Sequence, residues 1–553
     1  MHGEVPGVVG VYQTILKTVN GVADWTVQKT WGRHTVPHIN GVRVLIARKE
    51  EKSMLVRNRI LCYLVLVLIM ILWFSGCSSD SSRADALFVQ AWLEQEAGNF
   101  TVAKELYEQA EEAFLAEDRQ DRARDCRTAR QDMAVIELTY SLGEADLRGM
   151  LADAFPGVPE AEREAWIAGG GLEYAVIDGE SRYFADVVPN IKFRNVDLFR
   201  QDAAMLDRYE QGYLVLKAII DAGPGPDPWQ PFINPVTYRG NGTLQIPRER
   251  LPKTGMLQLW FPIPIITGAQ PAVMVTSITP ERYVKVPPSI DEDIGLIYIE
   301  VDLDELREDL DIALEFLFDH YEQRFVVNPE NIGDYDREGA LYREYTASRG
   351  NIAVTPEIAE KAKDVVGNER NPWRAAKKLY DYVIENVQYS VMPHLALWPR
   401  GLPESVYVHE NRHGDCGAQS MYFSALCRSV GIPARTTGGW QLFSGNFSSH
   451  FWAEFFAPNY GWIPVDPTAA EIVDYLTDVS DEDKRIFHDF FFGSQDHFRC
   501  NVQKDVDLPL VPPAKGRVLL PMVIQFPAAL CDTMEEIPGI VIQEYWKLDA
   551  TVM

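Results

Sequence analysis

The chain has no cysteines at zinc spacing. Its seven, at 62, 77, 126, 416, 427, 500 and 531, are scattered with no CxxC pair and no Cys/His cluster, which argues against a structural zinc. Basic charge is scarce: 52 Lys and Arg stand against 80 Asp and Glu, a formal charge of −28. A surface of that sign repels phosphates and anionic headgroups, so no nucleic acid partner is expected. An uncharged run of the roughly 20 residues that a spanning helix needs is lacking too, since the apolar stretch at 60–74 stops at 15. Gly169-Gly170-Gly171 lacks the helix start and lysine of a phosphate loop and reads as a turn. Apolar residues are plentiful at 46% of 553, enough for three or four domains of about 100 to 200 residues each.

The 60–74 run follows Arg57 and Arg59 and precedes Ser75, Gly76 and Cys77, the layout of a signal-peptide core. The FSGC string resembles a prokaryotic lipobox, which makes Cys77 the lipidated first residue of the mature chain; an uncleaved signal anchor is the alternative. Either way the basic flank stays cytoplasmic and the bulk of the chain lies outside, on the cell surface or in a periplasm. Residues 54–77 are therefore the membrane-directing segment, with translation expected to start at Met54. Residues 1–53 are expected to be a misassigned or disordered extension.

Further on, residues 78–141 carry small and apolar residues at helical spacing, Leu87, Ala91, Phe100, Ala103, Tyr107 and Ala110 among them. They read as a tetratricopeptide-like hairpin that packs on its neighbour and offers a surface to a protein partner. Residues 142–224 are mixed helix and strand. The GPGPDPWQP break then opens an all-β segment, 225–330, expected to be a sandwich with Pro262 and Pro264 at an edge or bulge. Thr355-Pro356 and Asn371-Pro372 each start a helix with a cap and an N1 proline.

Chemistry concentrates between 400 and 470. Gly414-Asp415-Cys416 starts an apolar-periodic helix that stops at Gly431 and Pro433, so Cys416 sits at a helix N-terminus, where the dipole and free amides favour a thiolate and are expected to lower its pKa. Cys427, three turns on, reads as an inert core thiol. SHFWAEFFAPNYGWIPVDPT then reads as strand, turn and strand, with His450 on the first arm and Asp466 ending the second, near enough for Asp466 to hold one ring nitrogen of His450. That is the arrangement of a nucleophile, its base and an orienting carboxylate.

GDC, the helix after it, GIPAR, H-x-W-x-E (His450, Trp452, Glu454) and W-x-x-x-D-P (Trp462, Asp466, Pro467) together resemble the transglutaminase-like superfamily. The resemblance covers about 400–470 closely and 335–500 as a domain. It implies an α+β multidomain protein: a papain-like transglutaminase core behind the β-sandwich and the helical segment, with 501–553 as a C-terminal extension packing on the core. It further implies catalytic Cys416, His450 and Asp466, attack on an amide carbonyl of a protein or peptide, and an aromatic oxyanion donor for which Tyr389 and Trp398 are candidates. No cofactor or metal is expected. The calcium loops of animal relatives have no residue-by-residue match, and Asp481-Glu482-Asp483 reads as an acidic helix start or loop. His409 and His413 are set aside as metal ligands because their surroundings read as a loop. His488, Asp489, Asp496 and His497 read as structural. A non-catalytic adaptor is the rival reading of the whole.

Overall fold

The computed structural model describes residues 82–553 except 226, 228, 444–445, 520–523 and 535. The extension 1–53, the apolar run and Cys77 lie outside the described residues. Among those described, no helix is long and apolar enough to cross a membrane.

Helices α1 (Arg83–Glu96), α2 (Phe100–Ala116) and α3 (Gln120–Thr139) come first. Buried alanines at 91, 103, 110 and 123 let them approach closely, while Tyr107, Phe114 and Cys126 fill the seam. They do not stand alone. The hairpin of β1 (Tyr174–Ile177) and β2 (Glu180–Tyr183) turns through Asp178 and Gly179, both at positive φ as a two-residue turn requires. Asp178 there accepts from the hydroxyl of Thr101 at 2.7 Å. Helices α4 (Val187–Arg194), α5 (Val196–Arg200) and α6 (Ala203–Asp221) follow, the last two capped by the side chains of Asn195 and Asp202.

Residues 232–324 give β3 (Phe232–Ile246), β4 (Met256–Pro262), β5 (Ala272–Thr279), β6 (Val284–Ser289), β7 (Leu296–Asp302) and β8 (Leu310–Arg324). Alternating burial along β3 and β8 and near-continuous burial along β4 and β7 supply the apolar side chains of one core. Next come α7 (Pro356–Val366) and α8 (Pro372–Asn386), capped by Thr355 and Asn371. The short strand β9 (Gln388–Tyr389) pairs in parallel with β10 (His413–Gly414), with α9 (Glu404–Asn411) between them in sequence. His409 therefore lies on a helix and not in a loop, because Pro403 starts that helix and Arg412, left-handed at φ 62°, ends it before His413.

Helix α10 (Cys416–Ser429) is buried along nearly its whole length. It shares a core with a sheet made from β11 (Ala434–Phe443), β12 (Asn446–Ala457) and β13 (Gly461–Val465), completed by β15 (Arg499–Gln503), in the order β13-β12-β11-β15. The remaining strands, β14 (Ser494–Gln495), β16 (Ala528–Leu530) and β17 (Trp546–Val552), join the earlier sheets, whose orders are β14-β8-β3-β17, with β5 on β8, and β16-β4-β7-β6.

The segment 501–553 touches the core, where Gln525 donates to the carbonyls of Gly439 and His450, and it also supplies β16 and β17 to the sheets of 232–324. Pro262 ends β4 two residues past Trp260, the last residue paired with β16, so it stands where the ladder on that side has stopped. Cys500 and Cys531 are separate, buried free thiols.

Gly439 pairs with His450 across the β11–β12 ladder, and a Cβ there would lie 2.2 Å from the carbonyl oxygen of Cys500 on β15. Gly439→Ala is therefore expected to destabilise the fold by about 1–3 kcal/mol through overpacking. The shift of the urea midpoint checks it.

Candidate active site

Asp415 caps α10, its Oδ1 accepting from the Ala418 amide at 3.0 Å. Cys416 follows as the first helical residue, so its own amide has no intrahelical acceptor. The half-buried thiol lies beside the backbone amide of Phe451, which follows His450 on β12 and favours a thiolate there. The β12–β13 register sets Ala453 opposite Val465. Asp466 therefore falls one step on, across from Trp452 and diagonal to His450, and the pair meets without a bulge. His450 Nε2 lies 2.8 Å from Asp466 Oδ2, which leaves Nδ1 as the ring nitrogen for the thiol.

Electrostatics refine this picture. Burial pushes the Cys416 thiol well above the usual range, and the charges of Asp415 and Asp466 add to it, with only partial relief from the amides of Phe451 and Gly417. The helix end by itself does not lower the thiol, contrary to expectation, because desolvation and the two carboxylates push it up. For Asp466, burial opposes charge, but His450 and Arg499 beside it and the Ala469 amide hold the carboxyl well below the ordinary range.

Two charged arrays flank the thiol, and neither was legible in the sequence. On the Asp466 side, Arg499 Nη1 donates to Asp466 Oδ2 at 2.5 Å, while its Nε and Nη2 donate to Asp496 Oδ2 at 3.0 and 2.7 Å. On the cap side, His394 Nε2 lies 2.6 Å from Asp415 Oδ2, and Nδ1 lies 2.8 Å from Glu404 Oε1. Burial opposes the His394 charge, yet the two carboxylates raise its pKa well above the usual range. Of Arg499, Asp496, His394 and Glu404, the sequence reading covers only Asp496, as structural. The signal that could have found the rest is a set of ionisable groups inside otherwise apolar stretches, at 394 and 499.

The motif residues around the triad are clamps. Arg435 and Glu454 pair across β11 and β12, with Nε to Oε2 at 2.7 Å, and the guanidinium lies 4.0 Å over the ring of Trp462. Of the two oxyanion candidates, Tyr389 is near enough to Cys416 for a thiolate to raise its phenol, after burial itself. Trp398 instead lies under the guanidinium of Arg517 at 3.8 Å. His409 Nδ1 bonds the Tyr422 hydroxyl at 3.0 Å, and His413 bonds Ser390 and Arg194, so the two imidazoles serve different neighbours. His488 contacts Asp474 and His497 contacts Tyr238, and Ser480 caps the helix that Asp481 opens. A cleft of about 630 Å³, lined by Arg194, Tyr389, His413, Glu471 and Tyr475 among others, opens beside Tyr389, and Cys416 does not line it.

Residues 359–467 match the family model described as Transglutaminase-like superfamily. A Protein-glutamine gamma-glutamyltransferase of Pseudomonas aeruginosa is 32% identical over 72 residues, 11% of each chain. An uncharacterized protein of Haemophilus influenzae is 25% identical over 178 residues, 28% of this chain and 47% of that one. This chain thus spans less than half the length of either relative. Among solved structures, a candidate cysteine protease of Cytophaga hutchinsonii is similar at 12% identity and TM-score 0.35, over 58% of this chain and 92% of that one. The periplasmic domain of TgpA from Pseudomonas aeruginosa is similar at 12% identity and TM-score 0.23, over 43% and 90%.

Two outcomes follow from this geometry. In His450→Gln, alkylation of Cys416 by iodoacetamide at pH 7 is expected to fall about a hundredfold, the scale of a lost general base; a rate within twofold of wild type contradicts the pairing. Because the Asp466 pKa is depressed in the folded state, its charge stabilises fully above the unfolded value of about 3.9 and is lost only as pH falls through the lower folded value. Asp466→Asn, which leaves Arg499 short of a partner, should cost about 3–5 kcal/mol at pH 7, with the gap closing only in strong acid. Urea titrations at pH 7 and in strong acid read it.

Proposed function

We propose that this chain, whose residues 359–467 form a transglutaminase-like domain, is a cysteine-dependent enzyme acting on amide bonds of proteins or peptides through a thioester. The observation that carries the reading is the buried 2.8 Å contact between His450 Nε2 and Asp466 Oδ2, set beside a thiol at the start of a helix. His450 Nδ1 takes the thiol proton, and the sulfur attacks the carbonyl carbon. The oxyanion is met by the Cys416 amide and the Tyr389 hydroxyl. Collapse expels the amine with the proton carried by His450, leaving a thioester. Water or a second amine, deprotonated by His450, then attacks the thioester and releases an acid or a new amide together with the thiol.

Asp466 stays charged throughout and fixes the imidazole tautomer. The name of the Pseudomonas aeruginosa relative supports acyl transfer, and hydrolysis, with water in place of the second amine, passes through the same thioester. The apolar run at 60–74, with Arg57 and Arg59 before it and Cys77 after it, supports an extracytoplasmic site tethered at the membrane.

Mass spectrometry of the protein incubated with peptide libraries is expected to show an acyl adduct on the Cys416 peptide, absent in Cys416→Ala. Folded wild-type protein that gives neither adduct nor Cys416-dependent turnover would leave the adaptor reading in its place.

A further inference from the structure

The guanidinium of Arg499 is fully buried, and each of its bonding edges is committed. Nε and Nη2 hold Asp496 Oδ2, Nη1 holds Asp466 Oδ2, and the guanidinium carbon lies 5.1 Å from the ring centre of Trp452. Asp466 Oδ2 therefore receives two donors, Arg499 and His450, while its Oδ1 accepts from the Ala469 amide. The carboxylate has no free rotation left. With Asp466 and Asp496 each negative and Arg499 positive, the three buried groups carry one net negative charge in the interior. That charge is balanced only when His450 is an imidazolium, the state in which it has taken the Cys416 proton.

We propose that Arg499, held by Asp496, is a positioning residue that sets how strongly Asp466 supports the His450 imidazolium, so that the four-member array His450–Asp466–Arg499–Asp496 tunes thiol activation. This rests on the catalytic reading above. Asp496 is the distant counterweight: it draws part of the Arg499 charge away from Asp466 and so leaves Asp466 able to attract the imidazole proton. Without it, the guanidinium would satisfy Asp466 alone and compete with His450.

Other titratable groups facing the array do not supply the balance. His320 of β8 faces Asp496 and Arg499, and burial pushes it down to about 4; burial also lowers His497, whose Nδ1 contacts the Tyr238 hydroxyl at 2.8 Å. Both are neutral near pH 7. Around Asp466, burial raises Tyr380 and Glu471 well above their usual ranges, and the Cys416 thiol rests protonated.

The test uses opposite signs. In a Cys416→Ala background, which removes the coupled thiol, the His450 titration is followed by NMR of labelled histidine in the full chain. Asp496→Asn removes the counterweight and is expected to lower the His450 pKa by about one pH unit, whereas Arg499→Met removes the competitor and is expected to raise it. With the thiol present, Asp496→Asn should slow iodoacetamide alkylation at pH 7 about tenfold. If Arg499→Met does not fold, Arg499→Met with Asp496→Asn restores the single negative charge and should titrate above Asp496→Asn alone. A purely structural role predicts no opposed shifts: movement of both single variants in one direction, no movement, or a double variant titrating no higher than Asp496→Asn overturns the proposal. Failure of the catalytic reading looks different, since there wild-type Cys416 shows no His450-dependent alkylation whatever the titration does.

Discussion

One carboxylate oxygen, Asp466 Oδ2, organises the site. It lies in the interior and receives the imidazole of His450 and the guanidinium of Arg499 at once. A charge in such a place is tolerable only when its donors are fixed, and each donor comes from a different strand of one sheet: His450 from β12 and Arg499 from β15, with Asp466 at the end of β13. The ladder order β13-β12-β11-β15 is thus the geometric condition for this charged array. Helix α10 packs on this sheet and delivers the thiol to it. The glycine at 439, which lets β15 approach β11, belongs to the same condition.

How much of this was legible depends on the range over which each interaction acts. Caps and hairpins are local, so the helix starts at Thr355, Asn371 and Cys416 and the meeting of His450 with Asp466 could be read from spacing alone. Arg499 and Asp496 could not, because their place beside Asp466 is set by β15 crossing to the far edge of β11, a pairing with no short-range signal. His394 and Glu404 were missed for a related reason: no motif or spacing links them to Asp415, and only the folded chain sets His394 between Glu404 and Asp415. The thiol was misjudged in sign, since a sequence shows a helix end but not the desolvation around it.

The motif that resembles the transglutaminase-like superfamily divides into two kinds of residue. Cys416, His450 and Asp466 face one another's chemistry. Arg435, Glu454 and Trp462 hold β11, β12 and β13 in register through a buried ion pair stacked on an indole. Retention of the second kind speaks for the architecture and retention of the first for the reaction, so a chain could keep the clamp and lose the nucleophile. This one has both.

Strand β17 lies against β3, and the Asn241–Asp549 hydrogen bond between them joins residues 308 apart in sequence. A sheet begun at 232 stays open along that edge until 546–552 arrives, so closure of the β region is a late event of high contact order. The sheet that carries His450 and Asp466, whose β15 is Arg499–Gln503, has all its strands present before that closure. During synthesis this sheet is therefore complete while its neighbour still exposes an unpaired strand, an interval in which a chaperone that covers such edges would act.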